Sequence, residues 1–252
     1  MPETILLFVL VALVALIYSS VGHGGASGYL ALLSFYAFPH EAMAASALCL
    51  NLLVSGLAFY AFAKAGQFSW KLTGPLILFS IPLAFVGGLI QVPKSVYAVL
   101  LLSVLIFAGV RLGWDASMQK KEEKSFQAPT LPLWILFLMG GVIGLLSGIV
   151  GVGGGIFLSP LLILLGCATP KQTATTSAFF IWVNSFSGLL GRLFRHSFEV
   201  SFSPVLTAVV LSAFLGGWVG SHAGANHFTS PWLKRILALV LFIAAFKLSR
   251  SL

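Results

Sequence analysis

"SSVGHGGASGYL" (Ser19–Leu30) puts four glycines and a histidine inside a run with no charged residue from Thr4 to His40. A helix crossing a bilayer has no local reason to carry such a cluster, because glycine lowers helix propensity by about 1 kcal/mol per residue. The motif returns 129 positions later, from Gly22 to Gly151, as "SGIVGVGGGIFLSP" (Ser147–Pro160). Two such interruptions, in matching surroundings, are the feature on which the reading of this chain turns.

Composition sets the class. Of 252 residues, 59% are hydrophobic and only 8% charged, and the mean hydropathy is +1.04. Soluble domains carry roughly 25% charged residues, so this is a polytopic membrane protein, with the lipid bilayer as its surroundings. The net charge of +8 is read as topology signals in cytoplasmic loops, and no nucleic-acid partner is expected. The N-terminus has no basic stretch before its apolar run, so Ile5–Val21 reads as a retained first span and not a cleaved signal peptide.

A crossing needs about 20 apolar residues. The charge-free stretches give eight principal segments: 4–21, 42–63, 72–91, 95–112, 131–150, 172–192, 203–222 and 231–249. Two short pieces, 26–38 and 156–167, follow the glycine clusters and predict broken or re-entrant helices. The expected fold is therefore all-α, with about eight transmembrane helices, two short broken helices and two homologous repeats. Residues 1–113 form the first repeat, 114–130 a cytoplasmic linker and 131–252 the second repeat.

Charge compares two topologies. If the short pieces do not complete a crossing and the N-terminus is inside, ten Lys and Arg face the cytoplasm and four face out. If each piece crosses and the N-terminus is outside, the split is nine to five. The first arrangement makes the halves parallel and the second inverted. Ten to four is the stronger bias, and it places both termini in the cytoplasm of a bacterial inner membrane. The halves match in order: "GHGGA" (Gly22–Ala26) with "GVGGG" (Gly151–Gly155), "PHEAMAAS" (Pro39–Ser46) with "PKQTATTS" (Pro170–Ser177), "NLLVSGL" from Asn51 with "NSFSGL" from Asn184, and "AFVGG" (Ala84–Gly88) with "AFLGG" (Ala213–Gly217).

Backbone at membrane depth must find hydrogen bonds in protein or in a wet cavity. Glycine permits the unusual dihedrals of a break, and the helix that follows presents unpaired N–H groups and the positive end of its dipole. Such a terminus is an anion site without a charged side chain, and paired broken helices mark the substrate site in repeat-built carriers. The expected substrate-binding residues are Gly22, His23, Gly24 and Gly25 at the first break and Gly151, Gly153, Gly154 and Gly155 at the second. Ser46, Asn51, Ser177 and Asn184 are expected to add hydroxyl and amide contacts. No Asp, Glu, Lys or Arg falls at a predicted span centre, which argues against a carboxylate relay or a cation path. No metal or cofactor is called for. Cys49 and Cys167 read as small core residues.

These residues resemble a family. Duplicated halves, each opening on a "GxGGG"-like break followed by a "P…S" stretch, are similar to the TauE/SafE sulfite exporters, also called toluene-sulfonate uptake permeases. The best match is Gly151, Gly153, Gly154, Gly155 and then Pro160. The resemblance implies a secondary transporter of sulfite, organosulfonate or another small sulfur-containing anion. It implies no enzyme, and a homodimer is compatible with it. A competing expectation is an intramembrane serine protease, because "GASG" (Gly25–Gly28) resembles the rhomboid nucleophile motif. Ser27 would then be the nucleophile and His222 its base. The second cluster has Ile156 where Ser27 sits, and the duplication has no place in that scheme.

Overall fold

A computed structural model describes residues 2–35, 40–93, 131–195 and 204–226, with isolated positions within 95–103 and 239–249. The predicted spans 95–112 and 231–249 fall largely outside the described residues, and the linker 114–130 falls wholly outside them. The described residues form eight α-helices. These are α1 (Pro2–Ser19), α2 (Ala26–Phe35), α3 (His40–Lys64), α4 (Trp70–Leu89), α5 (Leu133–Val150), α6 (Gly155–Leu164), α7 (Pro170–Phe194) and α8 (Pro204–Asn226).

Four of them hold a stretch long and apolar enough to cross a membrane: 45–64 in α3, 70–89 as α4, 133–150 as α5 and 207–226 in α8. Their large apolar side chains point outward, as Leu78, Trp134, Leu138, Leu211 and Leu215 do. In water such a surface would aggregate; in lipid it is solvated. The 25-residue α7 is more polar, and it sits at the centre of the bundle. Its Thr173, Thr175, Thr176, Ser177, Asn184 and Ser185 are all buried. It starts at a capping box, with Thr169 accepting from the Gln172 backbone at 3.2 Å and the Gln172 side chain accepting from the Thr169 N–H at 3.1 Å.

Small residues set the helix pairs. Along α5, Gly140, Gly144 and Gly148 lie against the backbone of Leu76, Ser80 and Ala84 in α4. Along α8, Gly216, Gly220 and Gly224 lie against Ala12 and Leu16 of α1 and Ser20 just after it. Numbers rise together in both pairs, so each pair is parallel. The four-residue spacing puts each glycine on one helix face, where backbones approach closely. Each pair joins a helix before the linker to one after it.

Directions follow from further contacts. Gly28 of α2 packs on Val14 and Tyr18 of α1, so α2 turns back beside α1. Gly155 and Ser159 of α6 meet Ile181 and Ser177 of α7, so α6 runs against α7. Helices α4, α5 and α7 run the same way: Thr73 faces Thr176 and Gly88 meets Gly188, while Gly148 meets Ala84. Helix α3 runs opposite to α7, with Gly56 on Trp182 and Phe62 clustered with Ala174. The C-terminal end of α8 reaches the start of α7, where Lys171 Nζ donates to the Ala225 carbonyl at 3.0 Å. The α1–α2 hairpin therefore enters from the face where α7 ends, and the α5–α6 hairpin from the face where α7 begins.

Arg192 is only 7% exposed. Its guanidinium donates to the Gly148 and Ile149 carbonyls at 3.2 and 3.0 Å. It thereby satisfies orphan carbonyls at the C-terminal end of α5, where the helix dipole favours a cation.

Candidate substrate site

Both breaks are built by glycines in left-handed conformation. At the first, Gly22 and Gly25 have φ of 76° and 92°; at the second, Gly151 and Gly154 have φ of 77° and 80°. The pairs Gly22/Gly151 and Gly25/Gly154 are each 129 positions apart, so the backbone device recurs at matching residues. Helix α1 ends in a Schellman motif, with His23 N–H bonded to the Tyr18 carbonyl at 2.9 Å and Gly22 N–H to that of Ser19 at 3.0 Å. Helix α5 ends more simply, with Gly151 N–H bonded to the Ser147 carbonyl at 2.8 Å.

The two breaks meet near the middle of α3 and α7, and Asn51 joins them. Its Oδ1 accepts from the Ala26 N–H, the first of α2, at 2.9 Å. Its Nδ2 donates to the Val152 carbonyl, in the second break, at 3.1 Å, with Ser185 Oγ at 3.5 Å. Asn51 is fully buried. A Cβ added to Gly24 would run into the Asn51 side chain, and one added to Gly153 would lie 2.7 Å from Ile181. A Gly153 Cβ would also lie 2.8 Å from Asn51 Nδ2, so Asn51 packs against both breaks.

A cavity of about 10 Å³ lies between the breaks. Tyr18, His23, Ser27 and the backbone of Gly24–Ala26 form one wall, and Val152, Ile156 and Ile181 the other. That is about the space for one water molecule. On the polar wall, Tyr18 and Ser27 share a hydrogen bond of 2.7 Å. His23 Nδ1 lies 3.0 Å from the Val21 carbonyl. Its Nε2 lies 3.3 Å from Ser159 Oγ, which in turn shares a hydrogen bond of 2.7 Å with Ser177 Oγ. This chain of hydroxyls links the first break to α6 and α7. The N-cap of α6 is Gly154, in left-handed conformation and with no side chain to cap the helix.

The sequence of the family described as sulfite exporter TauE/SafE matches residues 7–248. The chain belongs to this family. It is 33% identical over 246 residues, 98% of both chains, to a protein of Sinorhizobium fredii (strain NBRC 101917 / NGR234) named probable membrane transporter protein y4hK. It is 25% identical over 168 residues, 65% of this chain and 33% of the relative, to sulfite exporter TauE/SafE family protein 3 of Arabidopsis thaliana. It is 31% identical over 102 residues, 40% of this chain and 36% of the relative, to probable membrane transporter protein YunE of Bacillus subtilis (strain 168). No solved structure matches it. Membership in a family of membrane transporters, with several apolar helices, makes the chain a multi-pass membrane protein. The resemblance read from the glycine clusters is borne out.

The expected site residues divide into two groups. Gly22, His23, Gly24, Gly25, Asn51, Gly151, Gly153, Gly155 and Ser177 come together around the two breaks, with Gly154 packed behind them on Phe180, Ile143 and Ser147. Ser46 and Asn184 do not line the cavity. Asn184 Nδ2 donates to the Phe180 carbonyl at 2.9 Å, within its own helix. Tyr18, Ser159 and Ser185 were not legible, because hydroxyls in apolar helices usually bond to their own backbone.

The protease expectation fails within the family of transporters, and the geometry agrees. Ser27 bonds to Tyr18, while His222 is exposed on α8 with its ring 5.4 Å from that of Trp218. His222→Ala should change stability by less than about 0.5 kcal/mol, as at most exposed positions, and leave transport at the wild-type rate. Loss of transport in a folded His222→Ala protein would reopen a role for this residue.

Proposed function

We propose that this chain is a secondary carrier of small sulfur-containing anions, such as sulfite or an organosulfonate, and that it binds them between the two glycine breaks. The observation that carries the reading is the meeting of two left-handed glycine breaks, at matching residues, around one cavity with a polar wall. Amides at the starts of α2 and α6, with the hydroxyls of Tyr18 and Ser27, supply donors there. Each hydrogen bond to a charged partner contributes roughly 1.5–3 kcal/mol, so three or four support micromolar to millimolar binding after desolvation. The sulfur in the substrate comes from the printed names of the family and of the Arabidopsis relative.

At about 10 Å³ the cavity is smaller than any such anion, so loading requires the breaks to separate. The helix pairs suggest how. Helix α1 moves with α8, and α4 with α5, because these glycine-lined pairs bring backbone against backbone, so the moving bodies are not the two sequence halves. The opposed entry of the two hairpins favours inverted over parallel repeats, the arrangement that corresponds to the nine-to-five charge split. Lys64, Lys71 and Lys171 lie on the face where α7 begins, so that face is taken as cytoplasmic.

Proteoliposomes of the purified chain should take up labelled sulfite saturably, with competition by thiosulfate, sulfoacetate or taurine and none by chloride. Absence of uptake by all labelled sulfur anions, in protein that is folded by gel filtration, would overturn the reading.

A further inference from the structure

The starting point is a hydroxyl with no explanation. Tyr29 is fully buried in α2, and its phenolic oxygen has no hydrogen-bond partner. Buried polar atoms are paired in folded proteins, and each exception calls for a reason. Phenylalanine would fill the same space without that oxygen, so packing does not explain the choice of tyrosine.

Position supplies the reason. The Tyr29 ring lies across Gly25, the left-handed residue immediately before α2. Its Cζ and Oη stand 3.0 and 3.1 Å from where a Gly25 Cβ would be. Only glycine lets the phenol come this close. The hydroxyl therefore sits at the N-terminus of a ten-residue helix, beside Gly25 of the cavity wall. Of the donors at that helix end, the Ala26 N–H is held by Asn51 and the Ser27 hydroxyl is paired with Tyr18.

We propose that Tyr29 is a substrate-binding residue: when the breaks separate, its O–H donates to an oxygen of the bound anion at the start of α2. This rests on the carrier reading given above. Tyr29 adds a donor aligned with the helix dipole and needs no rearrangement of an existing bond to make the contact. An oxyanion with several oxygens can accept from Tyr29 on one of them while the others face the remaining donors of the cavity wall.

Tyr29→Phe tests this, with sulfite uptake into proteoliposomes and melting of the detergent-purified protein measured side by side. The expected result is a rise in KM of about tenfold or more, equivalent to about 1.4 kcal/mol, with a melting temperature equal to or above wild type. Stabilisation by sulfite against heat should shrink in parallel. An unchanged KM, in a preparation where wild type transports, would overturn the role of Tyr29 and leave the carrier reading standing. A Tyr29→Phe chain that melts lower or does not fold would mean that the hydroxyl is bonded within the fold, and would overturn it too. Failure of the wild type to transport any sulfur anion would instead remove the carrier reading itself.

Discussion

Gly22→Ala should yield little or no folded protein, although it adds a single methyl group. Two costs combine. Gly22 has φ of 76°, where an L-residue is disfavoured by roughly 1–2 kcal/mol. The new Cβ would also fall 2.6 Å from the Ala174 Cα and closer still to the Ala174 carbonyl. That neighbour is the backbone of buried α7, which cannot rotate away as a side chain can. Overpacking costs about 1–3 kcal/mol where side chains can shift, and more where they cannot. Against a total stability of about 5–15 kcal/mol, the sum is large. Gly66→Ala separates the two costs, since Gly66 has nearly the same φ, 74°, and nothing within 4 Å of its Cβ position. That variant should melt only slightly lower than wild type. Equal melting of the two variants would mean that the first break does not press on α7.

The glycine breaks were legible because the physics that demands them is local. Left-handed backbone selects glycine, and a glycine cluster inside a charge-free run has few other causes. Helix positions followed from hydropathy, so α1 through α8 lie where the apolar stretches put them. Direction was not legible in the same way. Whether α2 and α6 turn back depends on which surfaces they pack against, and the charge counts of ten to four and nine to five differ too little to stand in for that. Asn51 and Asn184 match in sequence but bond differently: Asn51 bridges the two breaks, whereas Asn184 donates to the Phe180 carbonyl of its own helix. Sequence matching rewards identity, but the place of a residue on a helix is set by which face meets the break.

The two breaks are not alike in their side chains. Asn51 caps the start of α2, whereas Ile181, the side chain that a Cβ on Gly155 would strike, offers α6 no acceptor. The breaks share a backbone device and differ in the side chain that serves it.

Asn51 should accordingly be the position where stability and transport come apart most clearly. Asn51→Leu keeps the size and removes both hydrogen bonds. It leaves the Ala26 N–H and the Val152 carbonyl unpaired in the protein interior. Each such orphan costs about 1–3 kcal/mol, so the variant should lose roughly 2–6 kcal/mol by the same rule and lose uptake with it. Asn51→Asp has the same shape and keeps an acceptor for the Ala26 N–H, where the α2 dipole favours negative charge. It loses the donor to Val152, and it sets a carboxylate against a carbonyl. Its stability should fall less than that of the leucine variant. Its transport should fall further than its stability, because a negative charge beside the cavity repels the anion that must enter. Thermal melting and sulfite uptake of both variants, measured on the same preparations, test this order. Wild-type uptake by Asn51→Asp would place the anion away from the meeting point of the two breaks. Wild-type melting by Asn51→Leu would mean that the bridge between them does not hold the fold together.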